Sequence, residues 1–407
     1  MKPAKHQFTI LKQVCDLIPP NLVTKLSKIH NISTRSFSAW SHVVALIYSQ
    51  ISHSVSLNDV CDSLNNHSGT LSTIRNASAP SRNGFSHANR TRNADMAEGL
   101  FWKVLHHFQS SHPGFGLGRD RAGFPRRFKR TIHAVDSTTI KLVANCLDWA
   151  QHRSRKAAAK CHLRLNLETF LPSFVLVKAA DTHDSTEAKE LCAGIKSGEI
   201  VVFDRAYVDY SHLYHLTERG VFWVSRAKQN MSYEVMVQHL LTKGNIIRDD
   251  LIKLSKKKAS EDYPEELRLV EANVELDGKI VTMTFMTNNI EWAASSVADL
   301  YKARWGIEVF FKEIKQTLQL ADFMGHNENA VRWQIWTALL TYVIMRFIAY
   351  TSKWKHGFCR IVTLIRGVIW SRVALLSVLD LCGTAQGKKK MLAHPEHAFL
   401  PGLRWSG

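Results

Sequence analysis

"TIHAVDSTTIKL", residues 131–142, is where the chain stops reading as helix and starts reading as strand. Apolar and β-branched residues lead up to Asp136, and three hydroxyl residues, Ser137, Thr138 and Thr139, follow it. Three further β-rich runs come next: CHLRLNLE (161–168), PSFVLVKAA (172–180) and EIVVFDRAY (199–207). A helix is expected at about 185–195, where Asp184 and Glu187 have the spacing of a capping box and so read as a helix start. Three strands, a helix and a fourth strand describe a mixed α/β sheet. In the fourth run a four-residue apolar stretch ends at Asp204, as the first ends at Asp136. A carboxylate emerging from a strand interior is costly unless something neutralises it, and a divalent cation would do so. Strand-end aspartates also cap loops.

Working outward, residues 8–108 read as helical, with segments near 10–28, 37–51, 57–65 and 94–108. Between them TLSTIRNASAPSRNGFSHANRTRN (70–93) carries Arg75, Arg82, Arg90 and Arg92, and reads either as a solvated loop or as a basic segment that meets DNA. The breaker-rich HPGFGLGRDRAGFP (112–125) marks a domain boundary. The expected organisation is a helical N-terminal DNA-binding domain over 1–125, a catalytic domain over 126–350 with a β-rich insertion at about 220–290, and a basic C-terminal segment over 351–407. GVFWVSRAK and KIVTMTFMTNN supply strands of the insertion, and Lys256–Lys258 read as a solvated turn. His106 and His107 read as half-buried structural residues, and His183 as loop packing near the strand ends.

The chain of 407 residues holds 53 basic against 35 acidic residues, net +18, with 45% hydrophobic residues to build a core. The excess lies at the two ends. Residues 1–130 have 17 basic to 6 acidic residues, and 301–407 have 15 to 6. Such a pattern suits a polyanion gripped from both sides of a neutral centre. Seven singly scattered cysteines support neither a disulfide framework nor a zinc site, and fit a reducing cytoplasm. The N-terminus does not read as a secretory signal, and IWTALLTYVIMRFIAY (335–350), interrupted by Arg346, reads as a buried core helix rather than a bilayer span.

The third acid comes from YKARWGIEVFFKEIK (301–315). On one continuous helix Tyr301, Arg304, Glu308 and Lys315 share a narrow polar stripe, while Val309, Phe310 and Ile314 lie mostly off it. Glu308 packed against two strand-end aspartates would complete an oxygen-ligand site for Mg²⁺ or Mn²⁺ of the kind that performs in-line phosphoryl displacement. The alternative is that Arg304 and Lys315 simply pair with neighbours such as Glu308 and Glu313.

Asp136 in HAVDSTTI, Asp204 in VVFDRAYVDY, and the spacing Y-x2-R-x3-E-x6-K over Tyr301, Arg304, Glu308 and Lys315 resemble the DDE triad and YREK signature of bacterial IS4-family transposases. GHNENAVRWQIWTALL (325–340) resembles the helix that follows the signature there, and the 104-residue gap from Asp204 to Glu308 resembles the family's β-rich insertion. The resemblance implies a ribonuclease H-like core interrupted by that insertion, behind a helical N-terminal domain. It implies that Asp136, Asp204 and Glu308 hold two Mg²⁺ ions, with Mn²⁺ able to substitute, and that Tyr301, Arg304 and Lys315 contact phosphates of the terminal nucleotides. It implies a DNA transposase acting on terminal inverted repeats and target DNA, a homodimer in the synaptic complex, and a bacterial cytoplasmic, nucleoid-associated location with no membrane role. Some members flip a base onto a tryptophan of the insertion; Trp223 and Trp292 are the candidates, Trp223 reading as core. The alternatives are a ribonuclease H-like nuclease or an inactive DNA-binding transposase remnant. A regulator using only the N-terminal helices would leave the strand-end acids unexplained.

Overall fold

The computed structural model describes residues 3–34, 36–54, 56–117, 128–141, 158–179, 184–241, 244–276, 278–318, 325 and 327–382. His183, the latter half of the 112–125 boundary and the end of the C-terminal segment lie outside them.

Helices occupy the N-terminal third: α1 (Ile10–Cys15), α2 (Leu22–Ile29), α3 (Ala39–Ser52), α4 (Leu57–Asn66), α5 (Ser68–Leu71), α6 (Arg82–Thr91) and α7 (Asp95–Ser111). The run expected as one helix over 10–28 is broken between α1 and α2, where Pro19 and Pro20 cannot continue a helical ladder. The Arg-rich 70–93 segment holds a helix of its own, α6. Ser81 caps it by accepting from the Gly84 N–H at 3.1 Å, and Phe85, Ala88 and Asn89 form its buried face. His106 and His107 are exposed on α7, because the buried positions of that helix fall on Val104, Leu105 and Phe108 instead.

The strands are β1 (Ile132–Lys141), β2 (Ala158–Asn166), β3 (Leu171–Ala179), β4 (Ile200–Phe203), β5 (Phe222–Arg226), β6 (Tyr233–Gln238), β7 (Ile246–Leu254), β8 (Leu267–Leu276) and β9 (Lys279–Thr287). Among them run α8 (Asp184–Cys192), α9 (Tyr210–Glu218) and α10 (Lys257–Asp262). The exposed lysines 256–258 thus lead into a short helix. Among the described residues the strands form one nine-stranded sheet in the order β3-β2-β1-β4-β5-β9-β8-β7-β6. β1 pairs antiparallel with β2 and parallel with β4, and β4 pairs parallel with β5. β9, β8, β7 and β6 continue the sheet as an antiparallel extension.

Alternation along the central strands separates two cores. Ala134, Val202 and Val224 point into the larger one, and Val135, Phe203 and Trp223 into the smaller one beneath α8 and α9. On the larger-core face lie α11 (Ala294–Ala303), α12 (Trp305–Lys312) and α13 (Glu328–Thr351), followed by α14 (Phe358–Gly367) and α15 (Leu375–Cys382). α13 is buried almost all round, as expected of 335–350, and no helix among the described residues is long and apolar enough to cross a membrane.

The GHNENAVRWQIW run has a structural task. The Asn329 side chain accepts from the Ala94 N–H at 3.0 Å and donates to the Asn89 carbonyl at 2.9 Å, and Trp333 Nε1 donates to the Arg92 carbonyl at 2.7 Å. His42 packs with its ring tilted against Trp333, centroids 4.5 Å apart, and bonds Asn89 at 2.8 Å. The N-terminal helices and the sheet-covering helices thereby share one hydrophobic cluster.

Candidate active site

The register of the parallel strands places the two aspartates. Val135 of β1 lies opposite Phe203 of β4, and Phe203 opposite Ser225 of β5. The next residues on the three strands are Asp136, Asp204 and Arg226, all on the larger-core face, because their neighbours Val135, Phe203 and Trp223 mark the other. Each aspartate turns one oxygen back onto the chain: Asp136 Oδ1 accepts from the Ser137 N–H and Asp204 Oδ1 from the Arg205 N–H, both at 2.8 Å.

The third element arrives from above. The helix expected to run unbroken from about 296 is interrupted at Arg304, where α11 ends and α12 begins, and after Lys312 it widens into a π-turn over Glu313–Thr317. Gly306 lets α12 settle close to the sheet; a Cβ there would stand 3.0 Å from the Phe170 ring and 3.2 Å from Leu167. The expected polar stripe is therefore no solvated face. Tyr301 is 3% exposed, packs at 4.9 Å on Phe285, and donates its hydroxyl to Asp204 Oδ1 at 3.1 Å. The Arg304 side chain, 8% exposed, donates to Asp136 Oδ2 at 2.8 Å and to Glu308 Oε1 at 2.9 Å, joining the 20% exposed acid of the sheet to the 56% exposed acid of the helix. Lys315, on the π-turn, reaches the Thr139 carbonyl of β1 at 2.8 Å. Glu313 pairs with Arg346 at 2.7 Å, and the Arg304–Glu308 pair is one that the alternative reading named.

Burial pushes the Asp136 carboxyl up to about 6, against the pull of Arg304 and with Asp204 and Glu308 adding to the rise. Burial likewise raises the Tyr301 phenol to about 12, so it remains a hydrogen-bond donor at neutral pH. Among the described residues no three acids, histidines or cysteines converge on one point, and the Arg304 guanidinium stands between Asp136 and Glu308. The donor set nonetheless fits a hard divalent cation. It consists of carboxylate oxygens, two of the acids side by side, and burial disfavours the charged form of Asp136, whose cationic partner among the described residues is Arg304.

Arg226 was not among the residues picked out from the sequence. Its signal was present, since FWVSR ends in a charge just as IVVFD does, but only the pairing of β4 with β5 sets it beside Asp204. Partly buried, it pairs through its backbone with Phe285 of β9, and its side chain makes no hydrogen bond or ion pair among the described residues. Trp223 is fully buried and bonds Thr217 through Nε1 at 3.1 Å, as its core reading required. Trp292 packs between Phe128 and Phe222, at 5.4 and 5.3 Å.

Residues 127–344 match the family described as a transposase DDE domain, and residues 6–74 match a domain of unknown function. A Sinorhizobium fredii protein bearing the name transposase y4zB is 30% identical over 252 residues, 61% of this chain and 69% of that protein. A Synechocystis protein named as a transposase for insertion sequence element IS4SA is 26% identical over 228 residues, 54% of this chain and 61% of that protein. A piggyBac transposase, solved as a synaptic complex with hairpin DNA, aligns at a TM-score of 0.45 and 10% identity over 96% of this chain and 86% of that one. With the family match spanning more than half of the chain and the two aspartates side by side at the foot of α12, the chain belongs to the DDE transposases of bacterial insertion sequences, of the IS4 type.

Proposed function

We propose that this transposase binds the terminal inverted repeats of its own insertion sequence, hydrolyses the strand at each end, and joins the freed 3′-hydroxyls to target DNA, using Asp136, Asp204 and Glu308 as the acids of the site. The observation that carries the reading is the register that sets Asp136 beside Asp204 under Glu308. The family uses divalent metal, and these three carboxylates would hold it, as two Mg²⁺ ions with Mn²⁺ able to substitute. Bound there, the cations would neutralise charge building up on the phosphoryl oxygens. Arg304, Lys315 and Arg226 border the acids and would meet the phosphates flanking the scissile bond, with Tyr301 behind them, so that the bond is held in line. Residues 126–350 would act as a ribonuclease H-like unit, with the extension over about 220–290 as its insertion. The N-terminal helices over 1–125, with the basic 351–407 segment, would grip the DNA. A homodimer would pair the two ends in the nucleoid.

The test is cleavage of a duplex carrying the element's own end in Mg²⁺. Asp204→Ala, Asp136→Ala and Glu308→Ala should each abolish nicking, about 10³-fold or more as expected when one member of a catalytic unit is lost, with end binding retained. Normal nicking by Asp204→Ala would remove the proposal. Cutting without strand joining by the unaltered protein would reduce it to a nuclease, and binding without either to a remnant.

A further inference from the structure

Lys315 sits in the middle of the π-turn, and side chains from other helices tie that turn at both ends. At its start Glu313 accepts from Arg346 of α13 at 2.7 Å. At its end two donors converge on the Thr317 carbonyl, His53 Nε2 at 2.9 Å and Arg366 Nη2 at 3.1 Å. The two come from far apart in the chain. His53 closes α3 in the left-handed region, with φ at 60°, and Arg366 lies in the last turn of α14. Arg366 Nε also donates to the Ile51 carbonyl, one of the last oxygens of α3, which have no partner within their own helix. A single guanidinium therefore joins an N-terminal helix to the turn that carries Lys315.

From this we infer that Arg366 and His53 are positioning residues for Lys315. By holding the Thr317 carbonyl they fix the π-turn, and the turn fixes the lysine where its ammonium donates to the Thr139 carbonyl at 2.8 Å, on the same strand as Asp136. The inference rests on the reading of Lys315 as a phosphate contact beside the scissile bond. Its physical reason is general. A π-turn is a rare departure from the α-helix and persists where surrounding contacts over-determine it. A lysine is a point charge on a flexible stem, placed only as well as the backbone beneath it, and a misplacement of about 1 Å near the chemistry can cost about 10²-fold in rate.

The full-length protein is assayed for single-turnover cleavage of the element's own end in Mg²⁺ and for binding of that end in EDTA. The variants are Arg366→Lys, His53→Asn, Lys315→Gln, and each of the first two combined with the third. Arg366→Lys keeps the charge but cannot span both carbonyls, and Asn at 53 accepts the left-handed backbone while its amide is too short to reach Thr317. Lys315→Gln keeps a donor, so that a residual rate remains to be measured. Near-ultraviolet circular dichroism checks the packing, and His53→Asn decides alone if Arg366→Lys does not fold. Each clamp variant should cleave about 10-fold or more slowly, yet bind the end as the parent does. Added to Lys315→Gln, neither should lower the rate further, since each acts only through that lysine. Unaltered cleavage in a folded clamp variant, a full additional loss on the Lys315→Gln background, or weakened end binding in EDTA overturns the inference. If Lys315→Gln itself cleaves as the parent does, the phosphate reading of Lys315 fails instead, and the two failures are distinguishable.

Discussion

The arginines of the N-terminal helices and those around α11 and α12 carry the same charge and serve different ends. In the N-terminal region Arg75 donates to the Ile18 carbonyl at 2.8 Å and lies 4.8 Å from the Trp40 ring, and Arg92 donates to the carbonyls of Ser38, at 3.1 Å, and Phe37. These side chains bind the helices together through backbone oxygens, of which the Ser38 carbonyl also accepts from the His42 N–H. Arg82 and Arg90, on the exposed side of α6, face water. At the candidate active site, among the described residues, the Arg304 side chain donates to two acids instead. A net charge of +11 over residues 1–130 therefore overstates what is available to a phosphate, and the lone arginine between Asp136 and Glu308 has more chemistry at its disposal than the count suggests.

The sharpest way to break this comparison is Arg304→Lys. A single ammonium on a shorter fork cannot span Asp136 Oδ2 and Glu308 Oε1 at once, so charge is kept and geometry lost. Single-turnover cleavage should fall by about 10²-fold while end binding changes little. Rates near the parent's would mean that Arg304 is only another structural arginine.

Arg92→Ala is the counterpart in the N-terminal helices. Removing two charge-assisted bonds to carbonyls at about 1.5–3 kcal/mol each, partly regained from water, should lower stability by about 2–3 kcal/mol and the thermal midpoint by several degrees. The salt dependence of DNA binding should not move. A shallower salt slope with an unchanged midpoint would place Arg92 on the DNA.

What was legible beforehand divides along a physical line. Asp136, Asp204 and Glu308, the acids of the proposed site, stand out because an acid ending an apolar strand run, or standing among Trp305, Ile307 and Phe310, violates local patterning and so calls for a reason. The sheet was legible from the same runs. The inward turn of Tyr301 and Arg304 was not, since it follows from the break at Arg304, where a helix rule applied to fifteen residues no longer holds. Arg226 was hidden for another reason: its place depends on which strands pair, a long-range choice that no local window contains. Asn329 and Trp333 looked like ordinary helix polarity until their partners, Ala94 and Arg92, were brought to them.

The joint between the two regions should be sensitive to acid. Burial, with Arg92 nearby, holds the His42 imidazole down at about 3, from an ordinary value of 6.5. Its contribution is thus fully present above pH 6.5 and is lost as pH falls towards 3, because the unfolded chain takes up a proton that the folded one refuses. Between pH 6.5 and 5 the loss should be about 2 kcal/mol. His42→Leu should flatten that part of the pH profile of the thermal midpoint; a profile as steep as the parent's would assign the acid lability to another group, with His212, held at about 4, next in line.

The smallest effects should come from the two arginines that face water. Each phosphate neutralised by a cation releases counterions, so removing one contact lowers the slope of log affinity against log salt by about 0.9 for duplex DNA. Arg82→Ala and Arg90→Ala should each do this, weakening end binding only a few-fold at moderate salt and leaving the thermal midpoint in place, for α6 keeps its Ser81 cap and its buried Phe85, Ala88 and Asn89. Arg75→Ala should do the reverse, since its guanidinium is engaged with the Ile18 carbonyl, the Asp16 carboxylate and Trp40. Measuring both quantities on the same variants separates free charge from structural charge. If Arg82→Ala and Arg90→Ala leave the slope untouched, the exposed side of α6 does not face DNA, and the grip attributed to the N-terminal helices has to come from cations elsewhere on them.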